Sequence, residues 1–327
     1  MYVDCNMVIR DYYAHKRATI LVHNKGDSVI MLTEFADKHQ LGKEFLQDAR
    51  KWYIPLADNI ATHQDGANKP YFLGVNGCQG SGKSTLSDFL KAYLSEQYDL
   101  NVVVMSLDDF YLDQSQRCAI AEKVHPLFKT RGVPGTHNMT LAAKVLAQLR
   151  DRQNQISIPR FNKATDNPEP LEQWQKITTA VDVVIFEGWC WGVEPQKDSE
   201  LAEPINSLEK NNDQTGVWRK YVNLQLKQNY APLYRFMNYW IMLKAPSFNC
   251  VYNWRLEQEH KLRKALSANP EHNKVNIMND QQVLAFIQYY QRLTQHALAT
   301  LENKCDVIFT LNAERRIIAQ HSRSAHA

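Results

Sequence analysis

The run Gly77-Cys-Gln-Gly-Ser-Gly-Lys83-Ser84 satisfies G-x-x-x-x-G-K-[ST] in full. Each element of that spacing serves phosphate binding. Glycines let successive backbone N–H groups converge on phosphate oxygens, and a helix starting there adds partial positive charge. Gly77, Gln79, Gly80, Ser81 and Gly82 would form the cradle, and Lys83 would reach the β- and γ-phosphates of ATP. The Ser84 hydroxyl could ligate Mg²⁺ and Thr85 could touch the α-phosphate. A glycine-serine turn with a stray lysine is the bland alternative. The flanks argue against it: Tyr71–Val75 reads as a strand, and Ser84 to about Gln97 reads as a helix. The guanine-reading pattern N-K-x-D is not met, since Asn162-Lys-Ala-Thr-Asp166 has one residue too many.

A second set of candidates follows the valine-rich stretch Asn101–Leu107, in Ser106-Leu-Asp-Asp-Phe-Tyr111. Strand C-termini of an open parallel sheet face the ligand crevice. Asp108 there could accept the proton of an attacking substrate hydroxyl, with Asp109 beside it; the alternative is that both acids cap the next turn. Glu187 closes the apolar run Val181–Phe186, a place from which a carboxylate can hold Mg²⁺ directly or through water.

These residues need a scaffold that brings strand ends together. Strand patterns at Tyr71–Val75, Asn101–Leu107, Val181–Phe186, Tyr239–Leu243 and Val307–Leu311 alternate with helical periodicity at 141–149, 218–226, 250–266 and 281–301. That alternation predicts an α/β P-loop NTPase fold, a doubly wound and mostly parallel sheet flanked by helices. Residues 1–69 are polar and helix-leaning and read as an N-terminal helical extension. Residues 70–327 read as the P-loop kinase domain, with a helical lid near 250–266. Glu194–Gly216, polar and proline-containing, reads as a surface excursion.

The ordered set of Gly77–Thr85, Ser106–Tyr111, Arg131-Gly-Val-Pro-Gly-Thr-His137, Pro159-Arg-Phe-Asn-Lys163, Phe186-Glu-Gly-Trp189 and Trp254-Arg-Leu-Glu-Gln-Glu259 resembles the D-glycerate 3-kinase family. That family is related to the uridine kinase, phosphoribulokinase and pantothenate kinase P-loop enzymes. The resemblance spans about residues 70–315. It implies ATP- and Mg²⁺-dependent phosphorylation of D-glycerate to 3-phosphoglycerate. It further implies Asp108 as base, Ser84 and Glu187 around the metal, and Asp109, Tyr111, Arg131, His137 and Lys163 on the substrate side. Arg255 would act from a mobile lid. Where the family carries acids, this chain has Asn138 and Asn162, which would leave the substrate patch more positive. Blander readings stand beside these: a structural turn at Arg131–Thr136, a hydrogen-bonded His137 behind the site, and a salt-bridge stripe at Arg255, Glu259 and Arg263. A kinase for another small alcohol, or a nucleotide-dependent regulatory protein without a small acceptor, is the alternative function.

Bulk properties bound the partners. The 327 residues carry a formal net charge of +3, without the concentrated basic face of a nucleic-acid binder; an anionic small substrate fits. Six scattered cysteines lack metal or redox spacing and read as reduced thiols of a cytoplasmic protein. The N-terminus has no signal-peptide pattern and no apolar run reaches membrane-span length. Oligomeric state is open.

Overall fold

The computed structural model describes residues 27–65, 67–267 and 278–323; residues 1–26 of the expected N-terminal extension lie outside the described residues. The chain begins with helices α1 (Asp27–Lys38), α2 (Lys43–Asp48) and α3 (Ile54–Gln64), then runs through β1 (Tyr71–Gly77), α4 (Lys83–Tyr98) and β2 (Val102–Ser106). Helices α5 (Gln114–Lys123) and α6 (Met139–Arg150) precede the short strands β3 (Ile156–Ile158), β4 (Phe161–Asn162), β5 (Asn167–Pro168) and β6 (Gln175–Ile177). Then come β7 (Val183–Gly188), α7 (Ser207–Asn212), α8 (Val217–Gln225), β8 (Tyr239–Lys244), α9 (Phe248–Ser267), α10 (Asp280–Thr300), β9 (Val307–Leu311) and β10 (Ile317–Ser322).

The main sheet has the order β10-β9-β8-β1-β7-β2, parallel except for the antiparallel β9–β10 pair. Side chains of a strand alternate between faces. Thus Leu73, Val75, Val183, Ile185, Ile241 and Leu243 enter one core, while Phe72, Val184, Phe186, Trp240 and Met242 enter the other. Both faces are covered, which is why the central strands read as continuous apolar runs. After β1 the chain passes to β2, fills the gap with β7, and only then crosses to β8 on the other side of β1. That reversal puts a crevice at the C-terminal end of β1.

All five strands expected from the sequence are present, and β10 extends the sheet by one. This edge strand carries no apolar run, because only Ile317 of its six residues is buried. The segment 194–216 departs from the expected surface excursion. Within it Glu209 and Asp213 are buried, Glu209 paired with Arg292 of α10 at 2.7 Å and Asp213 with Arg219 of α8 at 3.0 Å. Buried charges persist when paired in this way, so polar composition alone misleads here. No described helix is long and apolar enough to cross a membrane.

Helices α1 to α3 pack against α4 through an aromatic cluster. The Phe89 ring lies 5.5 Å from Phe35, 6.1 Å from Phe45, 5.5 Å from Tyr53 and 5.7 Å from Tyr93. Phe89 is fully buried and joins the N-terminal helices to the helix that carries Lys83 at its first turn. Phe89→Ala should therefore destabilise the protein by about 3–5 kcal/mol. Chemical denaturation followed by tryptophan fluorescence reads this, and an unchanged midpoint would separate α1 to α3 from the core.

Candidate active site

The loop between β1 and α4 turns at Gly80 and Gly82, whose φ angles of +78° and +94° suit glycine alone among common residues. At Gly80 the lack of a side chain also allows close packing, since a Cβ there would stand 2.8 Å from Cβ of Trp254. Trp254 is buried in α9 and donates its indole N–H to the carbonyl of Ala313 at 2.6 Å. The loop thus rests on the expected lid helix. Gln79, Gly80, Ser81, Gly82, Lys83, Ser84 and Thr85 all line a cleft of about 980 Å3; Gly77 sits beneath, at the end of β1. With α4 starting at Lys83, its free N–H groups and dipole face that cleft.

Strand register brings the acids to the same edge. Glu187 lies opposite Val75 of β1 and opposite Ser106 of β2. Ser84 Oγ donates to Glu187 Oε1 at 3.1 Å, and Lys83 Nζ stands 3.8 Å from Oε2. Burial pushes the Glu187 carboxyl above the usual range, with Lys83 pulling the other way. Glu187 Oε2 has no hydrogen-bond partner among the described residues.

Asp108 follows β2 in a short turn capped by the Ser106 hydroxyl, which accepts from the Asp108 N–H at 3.3 Å. Its Oδ1 accepts from the Tyr111 hydroxyl and its Oδ2 from Lys163 Nζ, each at 2.9 Å. Burial alone would raise its pKa, but the cations Lys163 and Lys83 outweigh burial and hold it down at about 2. Asp108 is therefore a carboxylate throughout the neutral range. Asp109 pairs with Arg160 at 2.8 Å; burial still pushes its carboxyl up, against the pull of Arg160.

Arg131, Lys163, Tyr111 and Arg255 also line the cleft, and so does Arg160 of the Pro159–Lys163 motif. Arg255 reaches from α9 to Gln258 at 3.2 Å and to the buried Glu259, while its Nε is buried without a partner among the described residues. His137 stands one layer back. Its ring stacks on Tyr111 at 4.4 Å, and Nδ1 shares a 2.6 Å hydrogen bond with the Tyr230 hydroxyl. Burial lowers its pKa to about 3, so the ring is neutral. Trp191 and Trp254 are core residues, and Trp189 is buried with its N–H on the Gly132 carbonyl at 3.0 Å.

Asn138 and Asn162 do not line the cleft. The Asn138 side chain caps α6 by accepting from the Leu141 N–H at 3.0 Å. Asn162 accepts from the Ala164 and Thr165 N–H groups at 2.9 and 3.1 Å, closing the β4–β5 turn. Aspartate performs either task equally well. The amide-for-acid exchanges therefore fall on a cap and a turn rather than on the cleft wall.

The chain is 34% identical over 244 residues to the uncharacterized kinase mug58 of Schizosaccharomyces pombe, spanning 72% of this chain and 84% of that protein. It is 27% identical over 268 residues to the chloroplastic D-glycerate 3-kinase of Arabidopsis thaliana, spanning 76% of this chain and 54% of that one. The solved structure of a D-glycerate 3-kinase from Cryptococcus neoformans var. grubii superposes with a TM-score of 0.64 at 25% identity, covering 86% of this chain and 99% of the other. No family model matches the chain.

The clamp on Asp108 yields a direct test. Lys163→Met removes the largest force lowering its pKa while leaving burial, which raises it. Asp108 should then titrate at clearly higher pH in a carboxyl-carbon NMR titration. An unmoved titration would mean that the 2.9 Å contact with Lys163 does not persist in solution.

Proposed function

The chain belongs to the D-glycerate 3-kinase family of P-loop kinases and is an ATP-dependent small-molecule kinase; from that premise we propose that its acceptor is D-glycerate, phosphorylated at the 3-hydroxyl in a Mg²⁺-dependent reaction. The observation that carries the acceptor class is the pairing of Asp108 with Lys163 beside the phosphate loop, with Arg131 on the same wall. A hydroxy acid presents both things this arrangement needs: a hydroxyl for the carboxylate and an anion for the cations. A neutral alcohol would offer Arg131 and Lys163 no anion beyond the Asp166 and Asp108 carboxylates they already pair with.

Phosphoryl transfer depends mainly on positioning and charge neutralisation. The backbone of Gln79 to Gly82 holds the phosphates, and Lys83 neutralises charge where the γ-phosphate departs. Asp108 accepts a hydrogen bond from the acceptor hydroxyl and takes its proton as the new P–O bond forms. In a largely dissociative transition state the hydroxyl proton moves late, so the carboxylate need not be a strong base. Tyr111 fixes the carboxylate from behind, and the neutral His137 stacks on Tyr111 to keep the ring in place.

The donor set also suits Mg²⁺, which favours one or two carboxylates with phosphate oxygens and water. The Ser84 hydroxyl and Glu187 would hold it, Glu187 Oε2 being buried with no hydrogen-bond donor among the described residues and only Lys83 at 3.8 Å to share it with. When bound it would neutralise charge on the β- and γ-phosphates. Helix α9 serves as the lid: its base is pinned by Trp254 on Gly80, and Arg255 presents a guanidinium to the phosphates.

Incubation with ATP, Mg²⁺ and D-glycerate should give 3-phosphoglycerate by phosphorus NMR. Asp108→Asn should lower kcat by about 10²–10⁴ at saturating Mg²⁺. Absence of 3-phosphoglycerate above the hydrolysis background would reject the acceptor, and a near-normal kcat in the variant would reject Asp108 as base. Glu187→Gln and Ser84→Ala should instead raise the Mg²⁺ concentration required for half-maximal rate, with activity recovering at high Mg²⁺. A defect that Mg²⁺ leaves untouched would remove both residues from the metal site.

A further inference from the structure

Asp166 belongs to none of the motifs above, yet its carboxylate is shared by two guanidiniums. Arg117 Nη2 donates to Oδ2 and Arg131 Nη1 donates to Oδ1. The two arginines differ sharply in surroundings. The Arg117 side chain, from α5, is fully buried and is tied down again by Nη1 donating to the Leu112 carbonyl at 2.6 Å. The Arg131 side chain is 29% exposed and lines the cleft, with its guanidinium 5.4 Å from the ring centre of Phe161 and 6.0 Å from that of Tyr111.

A long arginine side chain at a cleft wall has many rotamers, and ordering it on binding costs entropy. Here that freedom is removed beforehand: Arg117 is fixed by burial, Asp166 is fixed on Arg117, and Arg131 is fixed on Asp166. The two aromatic rings limit the guanidinium plane further. Asp166 sits at φ +58°, a left-handed conformation that aspartate tolerates better than most residues. That conformation lies in the β4–β5 turn, the same hairpin that presents Lys163 to Asp108 three residues earlier. One short hairpin therefore sets both cations of the acceptor wall.

We propose that Asp166 is a positioning residue for acceptor recognition, holding the Arg131 guanidinium in place for the acceptor's anionic group with Arg117 as its buried anchor. This rests on the anionic-acceptor reading above. It departs from the surface ion pair that Asp166 would otherwise be, because such a pair would be indifferent to which substrate is varied.

The test is a double-mutant cycle read on two substrates. Asp166→Asn should raise KM for D-glycerate by about tenfold or more while KM for ATP and kcat change by less than about threefold. In an Arg131→Ala background the same substitution should add less than about twofold, because its effect passes through Arg131. Equal effects in both backgrounds, or an equal rise in KM for ATP, would overturn the proposal. Since Asp166→Asn leaves the buried Arg117 charge without its carboxylate, the double variant Arg117→Met/Asp166→Asn serves if the single one fails to fold, with the same kinetics expected. A second arm needs no turnover: phenylglyoxal modification of Arg131, read by peptide mass spectrometry in the ligand-free protein, should rise several-fold in the Asp166 variant. Equal Arg131 reactivity would overturn the proposal even if glycerate is the acceptor. Failure of the unaltered protein to phosphorylate D-glycerate would count against the acceptor alone, leaving the reactivity arm to decide on Asp166.

Discussion

Parallel strands end on one edge of their sheet, and the hydrogen-bond register between β1, β7 and β2 sets Val75, Glu187 and Ser106 level with one another. The phosphate loop leaves β1 two residues after Val75, and Asp108 follows Ser106 by two. Had β7 paired one residue out of step, Glu187 would have pointed to the other face of the sheet. It would then have lost Ser84 and Lys83 together. The rest of the cleft is added to this edge: α5 and α6 behind Tyr111, the β4–β5 hairpin across Asp108, and α9 above the loop.

The cleft is organised as a set of ion pairs. Lys83 with Glu187, Lys163 with Asp108, Arg160 with Asp109 and Arg131 with Asp166 each place a cation on a carboxylate. Burial disfavours the charged carboxylates, and the cations oppose this to different extents: Asp108 is driven low, while Glu187 and Asp109 remain raised.

The supporting layers explain several choices that look arbitrary in one dimension. His137 stacks behind Tyr111, Trp189 braces the carbonyl of Gly132, and Trp254 seats α9 on Gly80. Helices α1 to α3 share the aromatic cluster around Phe89, so the region ahead of the phosphate loop bears directly on the helix that begins with Lys83.

What the sequence determined by itself is what depends on local chemistry and period. The loop from Gly77 to Ser84 was legible because its function needs specific residues at fixed short spacings. The five parallel strands were legible because a sheet covered on both faces demands apolar runs. Asp108 and Glu187 followed from being next to strand ends. Tertiary structure decided what depends on contacts distant in the chain. That His137 lies behind Tyr111, that Glu209 is buried against Arg292, and that Asp166 joins Arg117 to Arg131 all rest on such partners. The Asp166 contacts reach back 49 and 35 residues along the chain. A carboxylate in a polar stretch carries no mark of which cation will meet it. Only the fold supplies the partner, and with it the charge, the orientation and the role.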